Sequence, residues 1–215
     1  MISFRKRVAV IAAVAAAVVG LLAWAVMDFI ERRGGGAYVK CETTKGPMEF
    51  VVMPSWSRRG AERFLQLVDE GFFNDLPLFR CIEGFVCQFG SKPSPQTGAS
   101  SYLPIPDDPP VDSLRQFKPG FLSFAGNGPN SRSIHAFIAL AAVGSLGTQP
   151  WETPIGYVTD ESMATVRQFS TVYGETQPGG HGPDPRRIEA AGGREYLKQE
   201  FPELDYFIRC TRTDH

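Results

Sequence analysis

No charge of either sign dominates this chain. Lys and Arg number 22 against 23 Asp and Glu, so the basic stripe that a nucleic-acid partner requires is missing. Histidine is scarce, at three residues, and no Cys/His spacing fits a zinc site. The glycine-rich stretch GNGPNS (residues 126–131) precedes neither a lysine nor a helix, which excludes a phosphate loop. No Asn-x-Ser/Thr acceptor occurs, so glycosylation gives no hint of compartment. No internal repeat or low-complexity tract stands out. Nothing calls for a cofactor or a metal, and we expect a monomer. What the chain does hold is turn chemistry: 22 glycines and 17 prolines, many of them clustered, the mark of short strands joined by long loops. A hydrophobic fraction of 43% over 215 residues is ordinary for one or at most two globular domains.

Taken in order, residues 1–7 are short and basic, and residues 8–27 carry no charge. Twenty apolar residues are about what a bilayer-spanning helix needs. The Lys/Arg balance around the run leans toward a cytoplasmic N-terminus and a translocated C-terminus. We therefore expect a transmembrane signal anchor over residues 8–30, a glycine-rich linker over 31–36 and a folded domain over 37–213. A cleaved signal peptide ending at Ala23-Trp24-Ala25 is the rival reading. Both readings put the domain in the secretory lumen (ER or Golgi) or outside the cell. Strands are expected over residues 38–43, 48–52, 77–82, 85–89, 121–124, 135–140, 155–158 and 206–211. Ser57 is placed to cap a helix with Ala61, Phe64, Leu65, Val68 and Phe72 on its buried stripe. A second helix is expected around 163–169, and a single, mostly solvated one over 186–200, weakened by Gly192-Gly193.

Two stretches carry the chemistry. LFRCIEGFVCQFG (residues 78–90) sets Arg80 among residues that read as buried strand. A guanidinium keeps its charge, so it either caps a structural carboxylate or points into a cleft to meet a ligand. No carboxylate sits at matching strand spacing beside it, which favours the ligand. Gln88 adds donors and an acceptor. GFLSFAGNGPNSRSIHAFI (residues 120–138) supplies the small residues Ala125 and Gly126, then His135 and Phe137 on one strand face. An arginine, an amide and aromatic walls beside bare backbone suit an extended peptide with an apolar side chain in the hollow.

The run F-R-x-I-x-G-F-x-C-Q-x-G, followed by G-x-L-S-x-A-x-x-G-P-N-S and an F-I strand, resembles the cyclophilin-type peptidyl-prolyl isomerases. The resemblance spans roughly residues 37–213. It implies a mainly β fold, a closed antiparallel eight-stranded barrel with two capping helices, and cis/trans isomerisation of X-Pro bonds in client proteins. Under it Arg80 is the catalytic donor, and Phe85, Val86, Phe137 and Leu146 seat the proline ring. Gln88 steadies the arginine or the substrate carbonyl, while Ala125, Gly126 and His135 border the peptide. The chain departs from the family with Phe79 before the arginine, Gly126 for an asparagine and His135 for a glutamine. Either Ser145-Leu146 or Trp151-Glu152 stands at the family's Trp-Leu. A proline-peptide binder without turnover is the alternative reading. The barrel sets the first strand beside the last, so Cys41 and Cys210 form either a disulfide or two separate buried thiols. Cys81 and Cys87 read as small core hydrophobes. The segment from about 177 to 204 has no counterpart in the minimal family domain.

Overall fold

The computed structural model describes residues 35–93 and 102–213. The apolar run of residues 8–27 lies outside these, and among the described residues no helix is long and apolar enough to cross a membrane. Strand β1 (Ala37–Thr43) alternates, turning Val39, Cys41 and Thr43 inward and Lys40 and Glu42 to solvent. It folds back onto β2 (Gly46–Val52) through Thr44-Lys45. Gly46, at φ 113°, takes a conformation there that side chains resist. The remaining strands are β3 (Leu76–Pro77), β4 (Arg80–Cys81), β5 (Val86–Phe89), β6 (Phe121–Phe124), β7 (Ala136–Ala139), β8 (Gly156–Val158) and β9 (Tyr206–Thr213).

These strands form one antiparallel sheet in the order β3-β9-β1-β2-β8-β6-β7-β5-β4. Its two outermost strands, β3 and β4, are separated in the chain only by Leu78 and Phe79. The sheet therefore curls until its edges are neighbours along the backbone. It is made of nine segments where eight strands are expected, because the stretch 76–81 changes partner along its length. β3 pairs with β9, and β4 with β5.

Inside the curl lies an aromatic core. Phe50, Phe64, Phe73, Phe89, Phe124 and Phe207 are each at most 1% exposed, and their rings meet mostly edge to face, as between Phe89 and Phe207 at 4.9 Å. Burying one such side chain contributes roughly 1.5–3 kcal/mol. Helix α1 (Arg58–Asp69) closes one side of this core with Ala61, Phe64, Leu67 and Val68. Leu67 joins the expected stripe, and Leu65 packs against the core partly buried. Ser57 stands at the N-cap position, yet its side chain caps nothing. The hydroxyl donates to Asp108 Oδ2 (2.6 Å), and the Asp108 carboxylate accepts the N–H groups of Arg59 and Gly60 in its place. Arg132, fully buried, adds an ion pair to Asp108 at 3.1 Å. Burial alone pushes the Asp108 carboxyl up, but these donors together hold it below the usual range. The network pins the loop before β6 to the start of α1.

The expected second helix is a single turn, α2 (Met163–Val166). The expected helix over 186–200 is two: α3 (Pro185–Glu189) and α4 (Gly193–Glu200). Gly192 breaks it in the left-handed region, at φ 81°. Ten of the fifteen residues 186–200 are exposed, as expected, but the segment also has a buried side. Ile188, Tyr196, Leu197, Phe201 and Leu204 bury themselves against Phe79 in a cluster of their own.

All four cysteines are bonded. Cys41 and Cys210 are directly paired across β1 and β9 and form a disulfide. Cys81 and Cys87 face each other across β4 and β5 and form a second, so the reading of these two as separate hydrophobes is corrected.

Candidate functional site

Register decides which side chains share a face. Across β4, β5, β7 and β6 one row runs Arg80, Gln88, Phe137, Ser123, and the next runs Cys81, Cys87, Ile138, Leu122. Alternation points the two rows to opposite faces. The second row belongs to the central core. The first faces outward, toward a separate apolar cluster with Val86, Phe117, Phe137 and Val143 at its centre and Phe85, Ala125 and Leu146 partly exposed at its edge. Val86 and Phe137 make the floor, at 3% and 6% exposure. Phe117 supports Phe137 from behind, the rings stacked at 5.7 Å. The sequence-assigned seat for a proline ring is thus one contiguous surface, and Leu146 is part of it.

Arg80 stands at the end of this row. Its Nε–H donates to Glu175 Oε1 and its Nη2–H to Glu175 Oε2, both at 2.6 Å. Nη1 donates to Gln88 Oε1 at 3.2 Å, and the guanidinium carbon lies 5.9 Å from the Phe85 ring centre. The arginine is therefore not waiting unpaired for a ligand. It is held by a carboxylate 95 residues further along the chain, which no strand spacing could reveal. The side chain nonetheless keeps 20% exposure and Glu175 keeps 42%, so the pair lies at the protein surface, not inside the core. The hydrogen bonds from Arg80 above all draw the Glu175 carboxyl down to about 2. Its contribution is present above the ordinary glutamate range and is lost only as pH falls through that value.

Glu175 is itself fixed. The Thr176 N–H donates to its Oε1 at 2.8 Å, and the Gly182 N–H donates to its carbonyl oxygen at 2.7 Å. A Cβ added to Gly180 would stand 2.3 Å from that same oxygen, so only glycine lets the loop close around Glu175.

His135 lies at the other side of the row. Its Nε2 is 3.0 Å from Ser91 Oγ and 3.6 Å from Glu189 Oε1 of α3. Its ring meets Phe79 edge-on at 5.9 Å. Phe79 is 2% exposed and packs under Ile188 and Tyr196. The aromatic residue before the arginine is thus the seat for the segment after Gly174. Gly126 has a comparable explanation. A Cβ there would lie 2.8 Å from Trp151 Cδ1, so Trp151 occupies the space that a side chain at 126 would need. The open choice of sequence resolves into two roles: Leu146 joins the apolar surface, and Trp151 packs over Gly126. No group of His, Cys, Asp and Glu among the described residues is arranged to hold a metal ion.

The curled antiparallel sheet carries an arginine, an amide and apolar side chains along one outward row. The family model for cyclophilin type peptidyl-prolyl cis-trans isomerases matches residues 38–190, and the chain belongs to that family. It is 33% identical over 138 residues to peptidyl-prolyl cis-trans isomerase-like 3 of Neurospora crassa, covering 61% of this chain and 81% of that protein. It is 27% identical to peptidyl-prolyl cis-trans isomerase-like 2 of Aspergillus oryzae, over 62% of this chain and 24% of the relative. With the peptidyl-prolyl isomerase CWC27 of Yarrowia lipolytica the identity is 28%, over 62% and 37%. The chain thus spans about a quarter to a third of the length of those last two relatives. A crystal structure of a cyclophilin type isomerase from Cryptosporidium parvum shares the fold, with a TM-score of 0.59 at 19% identity, over 84% of this chain and 99% of that one.

Proposed function

We propose that this chain catalyses cis/trans isomerisation of X-Pro bonds in client proteins, with Arg80 as the catalytic donor. The observation that carries the proposal is the single outward row of Arg80, Gln88 and Phe137 beside the partly exposed Phe85, Ala125 and Leu146. The reaction breaks no bond. Its barrier, ~18–20 kcal/mol, is the lost resonance of the amide. A twisted amide localises a lone pair on the proline nitrogen, and a fixed N–H donor aimed there favours the twisted state over the planar one. The apolar floor of Val86 and Phe137 takes the ring, and no nucleophile or base is required.

Purified full-length chain should speed exchange in a proline-containing peptide, followed by NMR. Arg80→Ala should remove roughly 10²–10³ of that acceleration. Equal rates for the two proteins would refute the role given to Arg80. The second reading, a proline-peptide binder without turnover, draws on the bidentate hold of Glu175 on the guanidinium. In that case the peptide would shift resonances at Gln88 and His135 with no change in exchange rate.

The setting is also a proposal. Two disulfides favour an oxidising compartment, in keeping with an anchor over residues 8–30 and a domain in the secretory lumen or outside the cell. Protease protection of the domain in sealed vesicles tests the orientation, and digestion without detergent from vesicles of known sidedness would exclude the lumenal one.

A further inference from the structure

We propose that Glu175 is a positioning residue for the reaction, holding Arg80 by one edge so that the other is aimed at the imide nitrogen. This rests on the isomerase reading above.

A guanidinium carries five N–H groups in a rigid plane. Glu175 takes two, at Nε and Nη2, and Gln88 takes one at Nη1. Two remain without a protein partner among the described residues. One is on Nη1 and one on Nη2, and the Phe85 ring centre lies 5.9 Å from the guanidinium carbon. Fork-to-fork pairing fixes the plane of the guanidinium as a single hydrogen bond cannot. Gln88 alone would leave it free to swing about the end of a flexible side chain.

The carboxylate is in turn held from its own loop. Thr176 N–H donates to it, Gly182 N–H fixes its carbonyl, and Gly180 approaches Glu175 too closely for a side chain. Behind the loop, α3 and α4 are anchored on Phe79, the residue just before Arg80. The segment thus braces the catalytic strand twice, through an ion pair at Arg80 and through apolar packing at Phe79.

The opposite assignment, a carboxylate that blocks the site, fits less well. With the segment in place, Arg80, Phe85, Gln88, Ala125, His135 and Leu146 all keep partial exposure. The segment leaves this face of the sheet accessible to a peptide. Glu175 is also partly exposed, so solvent screens part of its charge.

The test is kinetic and uses the full-length chain with a proline-containing peptide. Glu175→Ala should lower kcat roughly ten- to hundredfold and leave KM within about twofold, the signature of an interaction made only in the transition state. Glu175→Gln, which keeps the shape and one acceptor, should fall between it and the parent. In an Arg80→Ala background Glu175→Ala should change nothing further. The Arg80 Nε–H resonance, slowed in solvent exchange by the pair, should become fast-exchanging in Glu175→Ala, and this reading holds for any variant that folds. Unchanged kcat in Glu175→Ala overturns the inference alone, and a raised kcat assigns the carboxylate as a block. A parent chain without any effect on exchange would overturn this inference together with the isomerase reading.

Discussion

At the scale of the residue, two of the positions where this chain departs from the family pattern are explained by what stands next to them. Phe79 is apolar because Ile188 and Tyr196 lie on it. Gly126 has no side chain because Trp151 lies against it. The second pair makes a direct prediction. Gly126→Asn should cost about 1–3 kcal/mol through overpacking, read as a lowered urea midpoint. Trp151→Ala in the same chain should recover most of that loss. If Gly126→Asn is neutral on its own, Trp151 does not fill the space. Arg80 itself, with Gln88, Phe85 and Phe137, was legible from residue type and strand spacing, because a charge among buried strand residues demands a purpose. Glu175 was not. A partner 95 residues away in a glycine-rich loop leaves no periodic signal, and only the folded chain brings the two together.

At the scale of the element, strands were easier to read than helices. β1, β5 and β6 alternate or run apolar between clear turns, and α1 repeats at three and four residues. The segment after Gly174 combined charge, alanine and paired glycines, which reads as solvated. Most of its residues are exposed, but its apolar ones gather from α3, α4 and the turn beyond them onto Phe79, a grouping that no single helical period displays. The Cys81–Cys87 bond did leave a signal. A turn centred on Gly84 sets residues 81 and 87 opposite each other, as it sets 80 opposite 88. If the segment is a brace, loosening its packing should be felt locally. Leu197, 1% exposed, is its buried anchor, and Leu197→Ala should cost about 2–5 kcal/mol. Amide hydrogen exchange should then accelerate in α3 and α4 while β1 and β2 keep their protection. Uniform acceleration over the whole sheet would show that the segment is integral to the core.

At the scale of the whole molecule, a sheet that curls back on itself places its first and last long strands side by side, and a disulfide ties them. The loop-entropy account predicts very different values for the two bonds. Cys41–Cys210 closes 169 residues and should contribute about 5 kcal/mol, whereas Cys81–Cys87 closes six and should contribute about 2 kcal/mol. Paired Cys→Ser variants, compared by their denaturation midpoints under oxidising conditions, measure both. A larger loss from the short bond would mean that strain or packing at β4 and β5, and not chain entropy, governs the difference.

The Cys41–Cys210 bond also decides how the domain bears load. Tyr38 pairs with Thr213 where β1 begins and β9 finishes, so tension applied through the two ends would unzip the ladder one rung at a time. The unzipping would halt at the covalent rung. Everything between residues 41 and 210, Arg80 and its row included, would be shielded from the pull until a reductant cut that rung.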